Sequence, residues 1–409
     1  MILETCANAP SSRGVKLPRL TSMRFFAALA VVLTHVGYQF TSSVALQKTE
    51  VYGYDAVTFF FILSGFVMAW SYRPRPAGKF WWSRFAKIWP PQFALAVVAF
   101  TLLPNLERVP SILGRAADLT LLQAWWPSRN VYFGGNGVSW SLSCEIFFYA
   151  MVPFAAAKVV ELRSRGIVKL AVGVLLVLVL APVFASFLPM SAKLYYWLFY
   201  IFPPYQFGYF ILGMLGAKVV REGLLVRHPR IAMAATIIWL AILAWIGTEF
   251  SIAENHGLPR PVVMLASLPA FMLLILAAST RDIRRQNSWL TGRPLVFLGT
   301  ISFELYLIHK PLFLLTANLG WWQNSGGLAG VADFSIYIAL SVATAAAFQR
   351  WMASPTERAL RVCGEAIASK STRWAGSVPV PGLRRRSRIF PTPTRRGIAH
   401  QDPAHLVRK

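Results

Sequence analysis

The chain has 409 residues, 56% of them hydrophobic and 14% charged, with a formal charge of +25 and a mean hydropathy of +0.50. That is too apolar for an ordinary soluble enzyme and long enough for about ten membrane spans with short loops. The charge does not point to nucleic acid as a partner, because many basic residues lie between apolar segments and near the C-terminus, where orientation in the membrane and anionic lipid account for them.

Apolar segments predict membrane-spanning helices at about 21–40, 54–72, 88–104, 138–157, 169–188, 194–217, 231–249, 261–280, 294–316 and 332–352. The expected fold is therefore all-α, a polytopic bundle of ten transmembrane helices. Residues 1–20 read as a cytoplasmic N-terminal segment, 21–352 as the membrane domain and 353–409 as a basic tail without apolar period, expected to be disordered. Pro90-Pro91 predicts an entry turn to the third span, and Pro203-Pro204 a kink in the sixth. Basic residues concentrate after spans two, four, six and eight, for example Arg73, Arg75, Lys79, Arg84 and Lys87 after the second. By the positive-inside rule both termini are expected in the cytoplasm.

In the first span Arg24 and His35 are eleven residues apart. Close to three helical turns, that interval places them on one face about 16 Å apart along the axis. A signal sequence is the plainer reading of this basic, then apolar, stretch, but the remaining apolar segments argue against it. Asp55 opens the second span and can orient His35 or simply favour a helix N-terminus. Ser64-Gly65 permits close approach of a helix or ligand. Arg84 and Lys87 share a helical face in the loop before span three, where they can grip phosphate or serve only as orientation charges beside Trp81 and Trp82.

Glu145 is the single carboxylate of the apolar fourth span. Buried without a partner it would be costly, so it pairs or titrates, and His35 at similar depth is the candidate, with a structural helix–helix hydrogen bond as the alternative. Span nine carries Glu304, Tyr306 and His309, the last where His309-Lys-Pro311 is expected to bend the chain. Trp125-Trp126 and Phe133-Gly-Gly-Asn-Gly137 fall in the longest outer loop, where aromatic platforms suit a sugar. Cys6, Cys144 and Cys363 are scattered, so neither a disulfide framework nor a metal site is expected.

Several of these motifs, in this order, resemble the acyltransferase-3 family of integral membrane O-acyltransferases. They are Arg24-x10-His35, Phe60-Phe-Ile-Leu-Ser-Gly-Phe66, Arg84-Phe-Ala-Lys87, Trp140-Ser-Leu-Ser-Cys-Glu145 with Phe148-Tyr149, and Gly299-Thr-Ile-Ser-Phe-Glu-Leu-Tyr-Leu-Ile-His309. The chain departs from the family pattern at Lys87, where a second arginine is common, at Ile146, often a second glutamate, and at Ser354-Pro-Thr-Glu357, which replaces a Glu-x-Pro.

The resemblance implies acyl-CoA, with acetyl-CoA expected, as a cytoplasmic co-substrate rather than a tightly bound cofactor. It also implies a hydroxyl acceptor on the outer side, such as a cell-surface or exported glycan. Arg24, Arg84 and Lys87 are expected to hold the donor phosphates. His35 is expected as general base, oriented by Glu145 or Asp55, with Ser64, His309, Tyr306 and Trp140 in substrate-binding or secondary roles. An acyl-His35 intermediate is a further possibility. The expected location is the bacterial cytoplasmic membrane, multi-pass, with polysaccharide-synthesis machinery as a possible partner. The competing class is a transporter of a lipid-linked glycan or small metabolite that uses the buried His and Glu as a proton relay.

Overall fold

Each of the ten predicted segments lies on helix in the computed structural model, which describes residues 3–5, 15–40, 50–102, 111–252, 260–322 and 327–377. Among the described residues six helical stretches are long and apolar enough to cross a membrane, and a seventh if one bent pair counts as a single span. The molecule is thus a multi-pass helical membrane protein. Lipid-facing surface is plainest on α6, where Val172, Leu176, Val177, Val183 and Phe184 are exposed and little but Ile167, Leu178, Pro182 and Ala185 is buried.

The principal helices are α1 (Pro18–Val36), α2 (Glu50–Trp70), α3 (Ala77–Leu102), the short α4 (Ile112–Leu119), α5 (Trp140–Glu161), α6 (Ser164–Ser186), α7 (Pro203–Arg221), α8 (Pro229–Ile252), α9 (Arg260–Ile283), α10 (Arg293–Thr300), α11 (Ser302–Asn318), α12 (Gly327–Phe348) and α13 (Ser354–Ser377). A strand β1 (Leu3–Thr5) pairs antiparallel with β2 (Leu224–Val226), Leu3 opposite Val226. Residues 1–364 form one compact unit, and residues 365–409 a second that is helical through Ser377. Of the tail 353–409, where disorder is expected, residues 354–377 are helical, and those from 378 onward lie outside the described residues.

Close backbone packing explains the glycines. A Cβ on Gly65 of α2 would collide with the carbonyl of Phe210 in α7, and one on Gly213 of α7 with the carbonyl of Ile62. The two helices cross at touching distance. Gly299 is pressed in the same way onto the Thr21 carbonyl of α1. The start of α1 is fixed by Arg19, fully buried, whose Nη1 lies 2.5 Å from Asp282 Oδ1 at the end of α9 while its backbone N–H donates to Oδ2 at 3.1 Å.

Three local expectations are corrected. First, α3 begins at Ala77, so Trp81 to Lys87 stand on a helix rather than in a loop, and Pro90-Pro91 lie inside it. The stacked series Trp82, Phe85, Trp89 and Phe93, with ring centroids 5.6, 5.2 and 4.7 Å apart, holds one face together across the two missing N–H groups. Second, the sixth segment is broken rather than kinked. A π-helical turn at Trp197–Ile201 runs into extended Phe202, which the following Pro203 keeps out of the helical region. Third, the ninth segment bends by 60° between α10 and α11, at Ile301, and not at Pro311, which sits within α11. Gly299 seated against α1 sets the place of the bend, and Ser302 Oγ caps the broken turn through the Gly299 carbonyl at 2.9 Å.

Candidate active site

The site is built on the antiparallel pair α1 and α2. Gly53 of α2 lies against the Thr34 side chain of α1. Eleven residues further along α2, and eleven back along α1, Ser64 therefore comes level with Met23 and Arg24. Here a cavity of about 460 Å³ opens, lined by Arg24, Ser64, Arg84, Lys87, Glu145 and Tyr149 together with Ser141, Glu304, Tyr306 and Glu357.

Its centre is a triangle of hydrogen bonds. Ser64 Oγ donates to Glu145 Oε1 at 3.0 Å, the Tyr149 hydroxyl reaches the same oxygen at 3.1 Å, and the two hydroxyls are 3.1 Å apart. Arg84 Cζ stands 5.9 Å from the centre of the Tyr149 ring. Arg24 interacts electrostatically with Glu145 and Tyr149, and Lys87 with Glu304 and Glu357. Glu357 also pairs with Arg361 at 2.5 Å. Three cations and three carboxylates thus share one chamber, and Tyr149 faces Arg84 with its ring and Glu145 with its hydroxyl.

The far end of the chamber is closed by hydroxyls. The Tyr306 and Ser141 oxygens are 2.8 Å apart, and the Val138 carbonyl accepts from both, at 2.8 and 3.2 Å. Beyond Tyr306, whose ring centre is 6.0 Å from that of His309, sits an imidazole pair. His35 Nδ1 and His309 Nε2 are 2.9 Å apart with their rings nearly parallel. His309 is fully buried, whereas His35 keeps an accessible edge. Tyr337 anchors the His309 turn by donating to its backbone carbonyl. On α1 the face between Arg24 and His35 carries Ala28 and Val31, both fully buried and neither part of the cavity wall.

The expected carboxylate partners of His35 are therefore replaced by His309. Glu145 lies with Ser64 and the cations, about three turns of α1 from the imidazoles. Asp55 faces elsewhere, because nine residues from Ser64 is two and a half turns, the opposite side of α2. There Asp55 Oδ2 accepts from Ser267 Oγ of α9 at 2.6 Å. Trp140 packs its ring on Phe61 and Tyr200, at 6.3 and 5.0 Å, as a wall behind the chamber rather than a surface of it. Trp125 is likewise turned inward against Phe147 and Phe202.

Tyr149 and Ser141 appear in the sequence only as motif neighbours, yet both line the chamber. Glu357 is the residue that Ser354-Pro-Thr-Glu357 offers in place of the usual pattern, and it does reach the cationic end. Among the described residues no cluster of His, Cys, Asp and Glu is arranged to hold a metal.

A family model described as an acyltransferase domain matches residues 17–350. The chain belongs to the acyltransferase-3 family. This acyltransferase is 32% identical to acyltransferase MdmB of Streptomyces mycarofaciens over 356 residues, 80% of this chain and 89% of that protein. It is 23% identical to the O-acetyltransferase OatA of Staphylococcus aureus strain NCTC 8325 / PS 47, over 79% of this chain and 53% of OatA. It is 23% identical to the putative peptidoglycan O-acetyltransferase YrhL of Bacillus subtilis strain 168, over 73% of this chain and 49% of YrhL. The acyltransferase thus spans about half the length of OatA and YrhL. No solved structure matches it.

Proposed function

We propose that the protein transfers an acyl group, acetyl in the first instance, from cytoplasmic acyl-CoA to a hydroxyl presented on the opposite side of a bacterial cytoplasmic membrane. The observation that carries this reading is the single face of α1 that joins a cationic chamber at Arg24 to an imidazole pair at His35. Arg24, Arg84 and Lys87 offer charge to the donor's phosphates, and Arg side chains add the forked geometry suited to them. The pantetheine arm, about twelve chain bonds or the length of roughly four residues, spans about 14 Å when extended at about 3.5 Å per residue. That comes close to the axial distance of about 16 Å from Arg24 to His35. Ser64, Tyr149 and Glu145 along the way are partners for the arm's amides.

To bring the thioester to the acceptor at His35, the Tyr306–Ser141 hydroxyl pair that closes the chamber must part. With His35 Nδ1–H donating to His309 Nε2, the second ring nitrogen of His35 is left without a proton and can serve as the base. The free Nε2 of His35 then removes the acceptor's hydroxyl proton as the new C–O bond forms. The tetrahedral oxyanion collapses with cleavage of the C–S bond, and the CoA thiolate takes the proton back from His35.

Acceptor chemistry follows the relatives. The name of YrhL favours a polymeric glycan, and a small hydroxylated molecule is the other acceptor class to be tested. Ten spans with both termini cytoplasmic put the basic loops and the Arg24 chamber on the donor side. The test is to incubate purified protein with radiolabelled acetyl-CoA and each acceptor class, measuring CoA thiol released and label in the acceptor. Release of CoA with label in one class supports the proposal; a protein that neither binds nor consumes acetyl-CoA overturns it.

A further inference from the structure

Asp55 is left without a part in acyl transfer, and its surroundings are specific. On the side of α2 away from Ser64, a second cavity of about 240 Å³ lies between α1, α2, α8 and α9. Its walls include Phe26, Phe59, Leu243, Phe271 and Leu274, and its polar groups are Asp55 and Ser267. The α1 residues that line it, Met23, Phe26, Ala27 and Ala30, are centred about a third of a turn away from the Arg24 to His35 face. This is a separate chamber, within the helices and not at their ends.

The Asp55 side chain is more than nine-tenths buried. Ser267 donates to its Oδ2, and among the described residues no lysine, arginine or histidine lines the cavity. A carboxyl group in an apolar helical interior is costly and marks a functional position when no structural cation answers it. Access is from the hydrocarbon side, since Phe26 is exposed and the neighbouring α8 presents Ile238, Trp239, Ile242 and Trp245 outward. A ligand arriving that way must be lipid-soluble, and the missing charge must come with it.

We propose that this cavity binds a lipid-soluble amine, with its ammonium paired to Asp55 Oδ1 and its apolar body among Phe26, Phe59 and Phe271. The volume suits roughly a dozen non-hydrogen atoms, at about 30 Å³ for each water-sized unit of polar matter and somewhat less for bonded carbon. Ser267 holds the carboxylate in place through Oδ2 and leaves the other oxygen to the ligand. The inference stands on the cavity and its charge, independently of the acyl-transfer reaction.

The experiment uses the full chain in lipid nanodiscs with three diazirine probes of equal length: dodecylamine, dodecanol and dodecanoate. After irradiation, labelled peptides are mapped by mass spectrometry. Saturable labelling by the amine within 23–30, 240–244 or 263–274, at least tenfold above the alcohol and the carboxylate, is expected. Asp55→Asn should reduce it at least tenfold, and Ala244→Trp, which fills the cavity and leaves the carboxylate intact, should abolish it. Ser267→Ala should retain most of it. Equal labelling by all three probes, or amine labelling unchanged in both Asp55→Asn and Ala244→Trp, would mean simple partition into apolar surface and would overturn the proposal.

Discussion

The His35–His309 contact is the shortest link between this fold and its chemistry, and single substitutions there separate the roles. If His35 is the base of the proposed mechanism, His35→Ala should lower turnover by about 10² to 10⁴ with donor affinity unchanged, as read from kcat and KM for acetyl-CoA. His309→Ala keeps the base and loses its orientation. A fall in kcat of about tenfold or more at constant KM is expected, partly restored by His309→Gln, whose side-chain oxygen can accept from His35 Nδ1. Replacing Arg84 and Lys87 with Met should do the reverse, raising KM for the donor at least tenfold while kcat for bound substrate is little changed. Equal loss in both sets of variants would mean that these side chains support folding instead. Arg24, His35, Arg84, Lys87 and Glu145 were all visible in the sequence as ionisable groups in apolar surroundings. Their partners were less so, because depth along a helix is readable from spacing but azimuth relative to other helices is not. The pairing of His35 with His309 joins residues 274 positions apart. Asp55 shares a level with the imidazoles and was assigned to them on depth, although it faces the other side of α2.

At the scale of elements, helix contacts decide how firmly the chamber is held. Gly65→Ala would drive a methyl into the Phe210 carbonyl and should cost about 1–3 kcal/mol, visible as a lowered melting temperature in detergent. Ser64 on the next residue should then lose its geometry to Glu145, so activity falls with stability. The connection through α4 supplies a pH test outside the spanning helices. Asp118 is fully buried, and its Oδ1 accepts from Ser139 Oγ at 2.6 Å, Gln123 Nε2 at 3.1 Å and Gln92 Nε2 at 3.3 Å. Burial raises its carboxyl to about 7 against those bonds. In the unfolded chain the group titrates near 3.8, so between roughly pH 4 and 7 the folded state holds one more proton. Stability should therefore decline as pH rises through that window and level off above it, and Asp118→Asn should flatten the decline in thermal melts. Apolar segments predict that these helices exist, whereas their breaks depart from what the prolines alone predict. Pro90-Pro91 is carried through by an aromatic face, whereas the α10–α11 bend arises at Ile301 from packing of Gly299 on α1, a tertiary cause with no local signature.

For the whole molecule the decisive property is sidedness. Hydropathy made the helical membrane class plain from the sequence, since every predicted segment is helical. Among the described residues six or seven helical stretches are apolar enough to span by themselves, and these carry Arg24, Glu145, Glu304 and Glu357, whereas Arg84 and Lys87 stand on α3, which is not one of them. Span-like helices such as α6 face lipid and say little of function. The working helices are less apolar because Arg24, Arg84, Lys87, Glu145 and Glu304 must be carried within them, and these side chains afford one another the neutralisation that lipid cannot. In the proposed orientation that chamber faces the cytoplasm and the accessible edge of His35 the other side. Acetyl-CoA does not cross a bilayer, so orientation becomes measurable in sealed vesicles. Inverted membrane vesicles supplied with external radiolabelled acetyl-CoA should release CoA thiol, and label should accumulate in acceptor held in the lumen. Right-side-out vesicles given the same donor externally should stay inactive until made permeable with a mild detergent, and Arg84→Met should weaken the response of the inverted preparation alone. Equal activity in both intact orientations would mean that donor and acceptor enter from one side, and the path from Arg24 past Tyr306 to His35 would not be the route of the acyl group.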